Sequence, residues 1–350
     1  MGGRLVSTEF FTALHTQPKT NPAQPSVAAP LPEAEGSGLT DAVRKMLRQS
    51  VGNYVVNRAD GRIFYEHMEK TVRATMVAAY SLPAVATSWP VRKALKIMTS
   101  KKGKWMDDPQ SVSDIPRFVD EFQLDMSDYV RPNINQYKTF NDFFTREIKD
   151  SARPVGDLSN PRAFSSPADA RTVVFPSVKL AQQLWIKGKR FTTSQLLDLK
   201  DSPNSYDNAT LVVSRLAPQD YHCFHAPVSG TIMRMHNVTG EYYTVNPLAV
   251  RRNVNVFTEN VRVIMEIQRQ NGQKVQTAYI GATLVASMRM NVRVGQWVNR
   301  GDKIGCFAFG GSTIVTLAHG LQFDNDLVQH TMDELETLVT ARSRIGEFTS

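Results

Sequence analysis

Apolar positions change their spacing twice along the chain. Residues 17 to 38 (QPKTNPAQPSVAAPLPEAEGSG) carry no apolar period and are rich in Pro, Ala and Ser, the composition of a linker or disordered leader. From Thr40 to about Met106 the period becomes helical. Val43, Met46, Leu47, Val51 and Val55 recur at helical spacing behind a Thr40-Asp41 cap, and at least two helices are predicted. After Ser165 the pattern shifts again, to short runs of Val, Ile and Thr broken by Gly, Asn and Pro. VVFPSVKL, TLVVSRL, GTIMRMHNV, NVNVFT, VRVIMEIQ and TAYIGATLVASMRMNVRV read as strands. The predicted fold class is α+β: a leader over 1–38, a helical region over 39–130 and a mainly β body over 131–350.

Within the β body, SPADARTVVF (166–175) and APVSGTIMRM (226–235) share a proline, a short polar turn and an apolar strand, which suggests a duplicated unit. VRVGQWVNRGDKIGCF (292–307) spaces Gly295 and Gly301 six apart between valine-rich stretches, as tight turns of a compact barrel do. Lipoyl and biotinyl carrier domains look similar. They need a lysine at an exposed hairpin tip, and none stands out, so only barrel-like, carrier-like architecture is expected.

Charge adds a partner class. The chain has 350 residues, a net charge of +8 and a pI near 9.4, which attracts a polyanion. No helix-turn-helix, zinc-finger or RNP pattern accompanies the charge, nor are basic residues interleaved with aromatics, so an anionic membrane surface is favoured over nucleic acid. The stretch Thr71–Lys104 joins an apolar segment to Arg92, Lys93, Lys96, Lys101, Lys102 and Lys104. Such a helix fits the headgroup layer of an anionic bilayer, and equally a core-facing helix with a solvated basic face, which the pattern alone favours. No run of eighteen apolar residues occurs, so attachment is expected to be peripheral. The start MGGRLVST lacks the Ser or Thr of a myristoylation signal at Val6, and its few arginines make a poor transit peptide. Cys223 and Cys306 offer neither a disulfide framework nor a metal-ligand spacing and read as small buried hydrophobes.

Three constellations carry chemistry: Asp169 in SSPADAR, His222 and His225 in DYHCFHAPVSG, and Ser312 in FAFGGST. Singly, each is weak, because Asp caps turns and paired histidines are common. Together they supply a hydroxyl nucleophile, an imidazole to accept its proton and a carboxylate to orient the imidazole. The absence of GxSxG weighs against a serine hydrolase. His15, His67, His236, His319 and His330 fall outside these motifs and are read as non-catalytic.

The chain resembles phosphatidylserine decarboxylases through FNDFFTREIKDSARPV (140–155), SSPADAR (165–171), YHCFHAPVSG (221–230), GEYYTVNPLAVRRNVNVFTENVR (240–262) and VGQWVNRGDKIGCFAFGGSTIVTL (294–317). Gly310-Gly311-Ser312-Thr313 is similar to the GGST branch. Ala170 and Ala286 stand where glycine is usual. The resemblance implies self-cleavage between Gly311 and Ser312: His225, oriented by Asp169, deprotonates Ser312, and residue 312 becomes an N-terminal pyruvoyl group. That group forms a Schiff base with phosphatidylserine and releases phosphatidylethanolamine, with His222 as proton donor and without pyridoxal phosphate or metal. Thr313 is expected to help position the new terminus. The implied partners are phosphatidylserine, an anionic membrane, the two cleaved chains of the protein and a second copy in a homodimer. The implied location is peripheral, with mitochondrial inner membrane and endomembrane both open. Two alternatives remain at this stage: a pyruvoyl decarboxylase of a soluble amino acid, and a non-processing lipid-binding homologue.

Overall fold

A computed structural model describes residues 53–66, 87–184, 186, 191–199, 206–245, 255–282 and 288–349. The predicted leader and the helical positions Val43 to Val51 lie outside them.

The described residues open with a hairpin, β1 (Asn53–Asn57) and β2 (Ile63–Glu66), and continue with α1 (Trp89–Met106), α2 (Ile115–Phe122) and α3 (Phe140–Phe144). Strands then dominate: β3 (Ala163–Ser165), β4 (Ala170–Phe175), β5 (Thr210–Leu216), β6 (Cys223–His225), β7 (Gly230–Val238), β8 (Arg262–Gln268) and β9 (Lys274–Gly281). Short helices α4 (Val178–Leu184), α5 (Thr193–Leu197) and α6 (Val256–Glu259) interrupt them. The rest is β10 (Met288–Met290), β11 (Trp297–Val298), β12 (Lys303–Phe307), β13 (Ser312–Ala318), β14 (Leu321–Phe323), α7 (Asn325–Met332), β15 (Glu336–Val339) and β16 (Arg344–Phe348).

A ten-stranded sheet, in the order β11-β7-β8-β9-β13-β5-β4-β15-β1-β2, forms the middle of the molecule. Its strands alternate between two buried faces. Val173, Leu211, Val213, Val315 and Leu317 meet α4, α5, α6 and Leu95 of α1. Val174, Val212, Leu216, Ile314 and Ala318 meet two three-stranded sheets, β10-β12-β6 and β14-β16-β3. Burial on both faces explains the near-continuous apolar runs that made these strands legible.

The expected barrel is corrected: among the described residues the large sheet is open, with β11 and β2 at its edges. Val55 is also corrected, because it is a fully buried strand residue of β1, paired in parallel with Glu336 of β15, and not part of a helix. A valine three or four residues from other apolar positions fits both periods, and a waiting edge strand decided the outcome. VKL at 178–180 and VFT at 256–258 are helical instead, in α4 and α6, where Val178, Val256 and Phe257 pack on the sheet face. The disulfide between Cys223 and Cys306 corrects the reading of two free thiols. These residues lie 83 apart in sequence, and only the register that sets Cys306 against Cys223 brings them together.

The weak internal repeat is structurally substantial. Lys303, Gly305 and Cys306 of β12 pair with His225, Phe224 and Cys223, and Arg344, Gly346 and Glu347 of β16 pair with Ser165, Phe164 and Ala163, each with a one-residue irregularity at the same place. The two units also clasp each other: Ser165 N–H donates to Pro227 O at 3.0 Å and His225 N–H to Pro167 O at 2.8 Å. A second repeat emerges, VNRGDKIGCF (298–307) against VTARSRIGEF (339–348). Gly305 and Gly346 match within it, and a Cβ on either would strike the carbonyl oxygen of Arg289 or Gln322 across the ladder.

Candidate active site

Ser312 begins β13, between β5 and β9, facing Leu216 on one side and Gly281 on the other. Strand alternation puts its side chain on the face of Ile314, the face covered by the small sheets. It is completely buried, and its Oγ has no hydrogen-bond partner among the described residues. A buried hydroxyl left unpaired costs about 1–3 kcal/mol, so such a group calls for a reason. The carbonyl preceding it is held: Gly311 O accepts the Ala282 N–H at 3.1 Å. Gly310 adopts φ +136°, a conformation L side chains rarely take, and so sets the sharp entry to the strand.

His222 immediately precedes β6 and His225 ends it, while Phe224 between them packs on that same face. His222 is fully buried against Phe144, with ring centroids 4.0 Å apart, and Phe144 in turn packs on Phe309 at 5.2 Å. Hydrogen bonds tie this segment to the run before Gly310-Gly311-Ser312, since Phe307 N–H donates to His222 O at 2.9 Å and Phe309 N–H to Asn141 Oδ1 at 2.8 Å. His222 Nδ1 lies 2.9 Å from Asp220 O. A carbonyl only accepts, so this contact assigns the proton to Nδ1 and leaves Nε2 as a bare lone pair, which has no partner among the described residues. Burial, with help from Arg146 and Arg171, lowers the His222 pKa to about 3. Ser312 Oγ and His222 Nε2 are thus both buried without a hydrogen-bond partner among the described residues, each other included. Thr313 Oγ1 is a further buried polar atom without a partner among the described residues, and strand alternation turns it to the opposite face, that of Val315.

His225 is held differently. Its Nδ1 lies 2.9 Å from Gly301 O, which also accepts Arg342 Nε–H at 2.9 Å, and its Nε2 lies 3.2 Å from the buried Tyr221 hydroxyl. Arg342 Nε also lies 3.2 Å from that Nδ1, but its N–H is nearer to Gly301 O, and the 2.9 Å contact of Nδ1 with the carbonyl places the His225 proton on Nδ1 and makes Nε2 the acceptor for Tyr221. Burial first, and Arg342 second, lower the His225 pKa to about 4. Asp169 does not share a hydrogen bond with His225. Its carboxylate takes Arg153 Nε at 2.9 Å and Nη2 at 2.7 Å, and Ala341 N–H at 2.7 Å. Its charge still raises the His225 pKa, though less than burial and Arg342 lower it. The expected orienting role is filled at hydrogen-bond level by the Gly301 carbonyl.

Several supporting residues escaped the sequence reading. Asp220 presents its carbonyl to His222 while its carboxylate is ion-paired with Arg171. Arg171 also meets Glu66 at 2.8 Å, and Arg215 bridges Glu66 at 2.6 Å and Glu336 at 2.5 Å. Burial opposes ionisation of Glu66, but Arg215 and Arg171 outweigh it and hold its pKa below the usual value. Tyr221 and Asp220 adjoin the histidines in DYHCFH, and that adjacency was the available signal. Gly301 and Arg342 occupy matching positions of the two IGxF repeats, at φ +92° and +68°, and aligning those repeats would have found them.

The two depressed imidazoles predict acid sensitivity. Folding favours the neutral form of each, so their contribution is complete above the unfolded value near 6.5 and is lost as pH falls towards about 3 and 4. Chemical denaturation from pH 7 to pH 4.5 is expected to show stability falling by a few kcal/mol, on the order set by 1.4 kcal/mol per unit for each group. His222→Gln should flatten part of that slope.

Residues 140–347 match the family described as phosphatidylserine decarboxylase. The chain belongs to that family. Among its relatives, phosphatidylserine decarboxylase proenzyme 2 of Komagataella phaffii is 38% identical over 83% of this chain and 29% of its own length. Phosphatidylserine decarboxylase proenzyme 3 of Schizosaccharomyces pombe is 39% identical over 85% and 31%. A bacterial phosphatidylserine decarboxylase proenzyme, from Clostridium beijerinckii, is 32% identical over 81% of this chain and 97% of its own. The chain therefore spans about a third of these fungal relatives and nearly all of the bacterial one. Asp169, His222, His225, Gly311 and Ser312 all lie within the span matched to the phosphatidylserine decarboxylase family.

Proposed function

We propose that this chain is a proenzyme that cuts itself between Gly311 and Ser312 and then decarboxylates phosphatidylserine to phosphatidylethanolamine. The observation that carries the reading is the buried, unpartnered Ser312 Oγ beside a Gly311 carbonyl already polarised by the Ala282 N–H. Ser312 Oγ gives up its proton to a neutral imidazole and attacks that carbonyl, exchanging the amide for an ester. Loss of the Cα proton then expels the Gly311 carboxylate from Cβ. The resulting dehydroalanine tautomerises, and one water replaces the nitrogen, which leaves as ammonia. The ketone so formed supplies an electrophile for a substrate amine and an acceptor for the electron pair released as CO2 departs. The chain's own residues do the rest. His225 serves as base in the cut, with Asp169 acting through its charge, and His222, whose Nε2 rests as a lone pair, must first take up the proton that it later delivers to the product.

Membrane association is part of the proposal. α1 buries Leu95, Thr99 and Met106 and is pinned by the Arg92–Glu241 ion pair at 3.0 Å, while Trp89, Ile97 and Trp105 are exposed among its lysines. That face suits a headgroup layer. Among the described residues no helix is long and apolar enough to cross a membrane. A homodimer would have the exposed Met233, Val294 and Trp297 near the β11 edge available as a contact.

Intact mass spectrometry tests the reading directly. The purified chain is expected to resolve into a long fragment and one of 350 − 311 = 39 residues carrying a blocked, ketone-bearing N-terminus. A protein that stays at 39.2 kDa after prolonged incubation defeats it.

A further inference from the structure

A cavity of about 400 Å³ lies between α1 and the cleavage motif, with Lys96, Ser100 and Lys104 on one side and Asn141, Ala308 and Phe309 on the other. Its cations are unspent. α1 contains no acidic residue, and Lys96 and Lys104 make no ion pair or hydrogen bond among the described residues. The one carboxylate in the lining, Asp107, is occupied by Asn141 Nδ2 at 2.9 Å and Arg289 Nη2 at 3.2 Å. Lys102 adds its charge above the Phe309 ring, 5.8 Å from the centroid. The lysines open to the surface on the face that carries Trp89 and Ile97, and the inner wall ends at Phe309, three residues from Ser312.

Two free ammonium groups at the mouth of a polar-lined cavity select a compact anion. An anion arriving from a bilayer on this face is a lipid phosphate. We propose that Lys96 and Lys104 form the phosphate subsite for an anionic phospholipid, holding it so that its headgroup enters beside Phe309 while the acyl chains stay in the bilayer. The inference rests on the reading of Ser312 as the reaction centre only for its direction, since binding of the phosphate itself does not depend on turnover. Lysine suits this use: as a compact point charge on a flexible stem it follows a mobile lipid without demanding bidentate geometry.

The test compares Lys96→Gln/Lys104→Gln with Lys138→Gln/Lys179→Gln, which removes two exposed lysines of other elements and so the same net charge. Binding of monomeric short-chain phosphatidylglycerol, which has no amine to react, is measured on the full chain by calorimetry. The cavity variant is expected to bind about 25-fold more weakly, about fivefold per lysine, and the control within twofold of the parent. With short-chain phosphatidylserine as substrate, KM should rise by the same factor and kcat stay within about twofold. Equal losses in both variants, or unchanged binding in the cavity variant, would overturn the subsite. Should the parent turn over no phosphatidylserine while the binding contrast persists, the decarboxylase reading fails and the phosphate site stands.

Discussion

Ser312→Ala is expected to remain a single uncut chain of 39.2 kDa with no decarboxylase activity, and to fold normally. Both halves of that outcome follow from the same atom. The hydroxyl is the nucleophile of the proposed cut, and alanine has nothing to attack with or to eliminate. It also bonds nothing among the described residues, so its removal takes away an unpaired buried polar group and sacrifices no contact. Stability should match the parent proenzyme or exceed it by about 1 kcal/mol. Urea denaturation beside intact mass checks the pair of claims. A variant that still yields the 39-residue fragment would show that the cut does not use the Ser312 hydroxyl, and one that loses several kcal/mol would show Oγ to be a structural donor. The 39-residue fragment should also stay bound after cleavage in the parent, because β13 lies between β5 and β9 and β15 between β4 and β1, leaving the new chain woven into the large sheet.

Legibility followed the physics of each element. β5, β7 and β8 fell where the valine- and isoleucine-rich runs put them; β5 and β8 are buried along most of their length, so both of their faces are apolar, while β7 shows through its isoleucine, methionines and valine although one side of it is exposed. The β1–β2 hairpin did not, because its stability comes from pairing with β15, almost three hundred residues away in sequence. The residues of chemistry were legible as types, while their couplings were not. Nothing in SSPADAR announces that Asp169 is engaged by Arg153 and the Ala341 amide, or that a glycine carbonyl fixes the His225 ring. Backbone groups leave no trace in composition. The same holds for the disulfide, which depends on strand register.

His222→Ala separates the two histidines. With Nδ1–H committed to the Asp220 carbonyl, the ring lone pair of His222 is on Nε2, and it faces no partner among the described residues. His225 has both ring nitrogens engaged, so to accept the Ser312 proton its Nε2 must first be released by Tyr221 or receive the proton through that hydroxyl. If the roles stand as proposed, His222→Ala cleaves to the 39-residue fragment and then loses turnover by about 10²–10⁴, the usual worth of a positioned acid or base. His225→Ala gives the opposite pattern and stays uncut. The orphaned Nε2 sharpens the contrast, because a lone pair kept unprotonated by burial is also a competent base. Were His222→Ala to stay uncut while His225→Ala processed, the proton of Ser312 would pass to His222, and the assignment of the two rings would reverse. Normal turnover in His222→Ala would remove it from the chemistry altogether and leave its buried Nε2 unexplained.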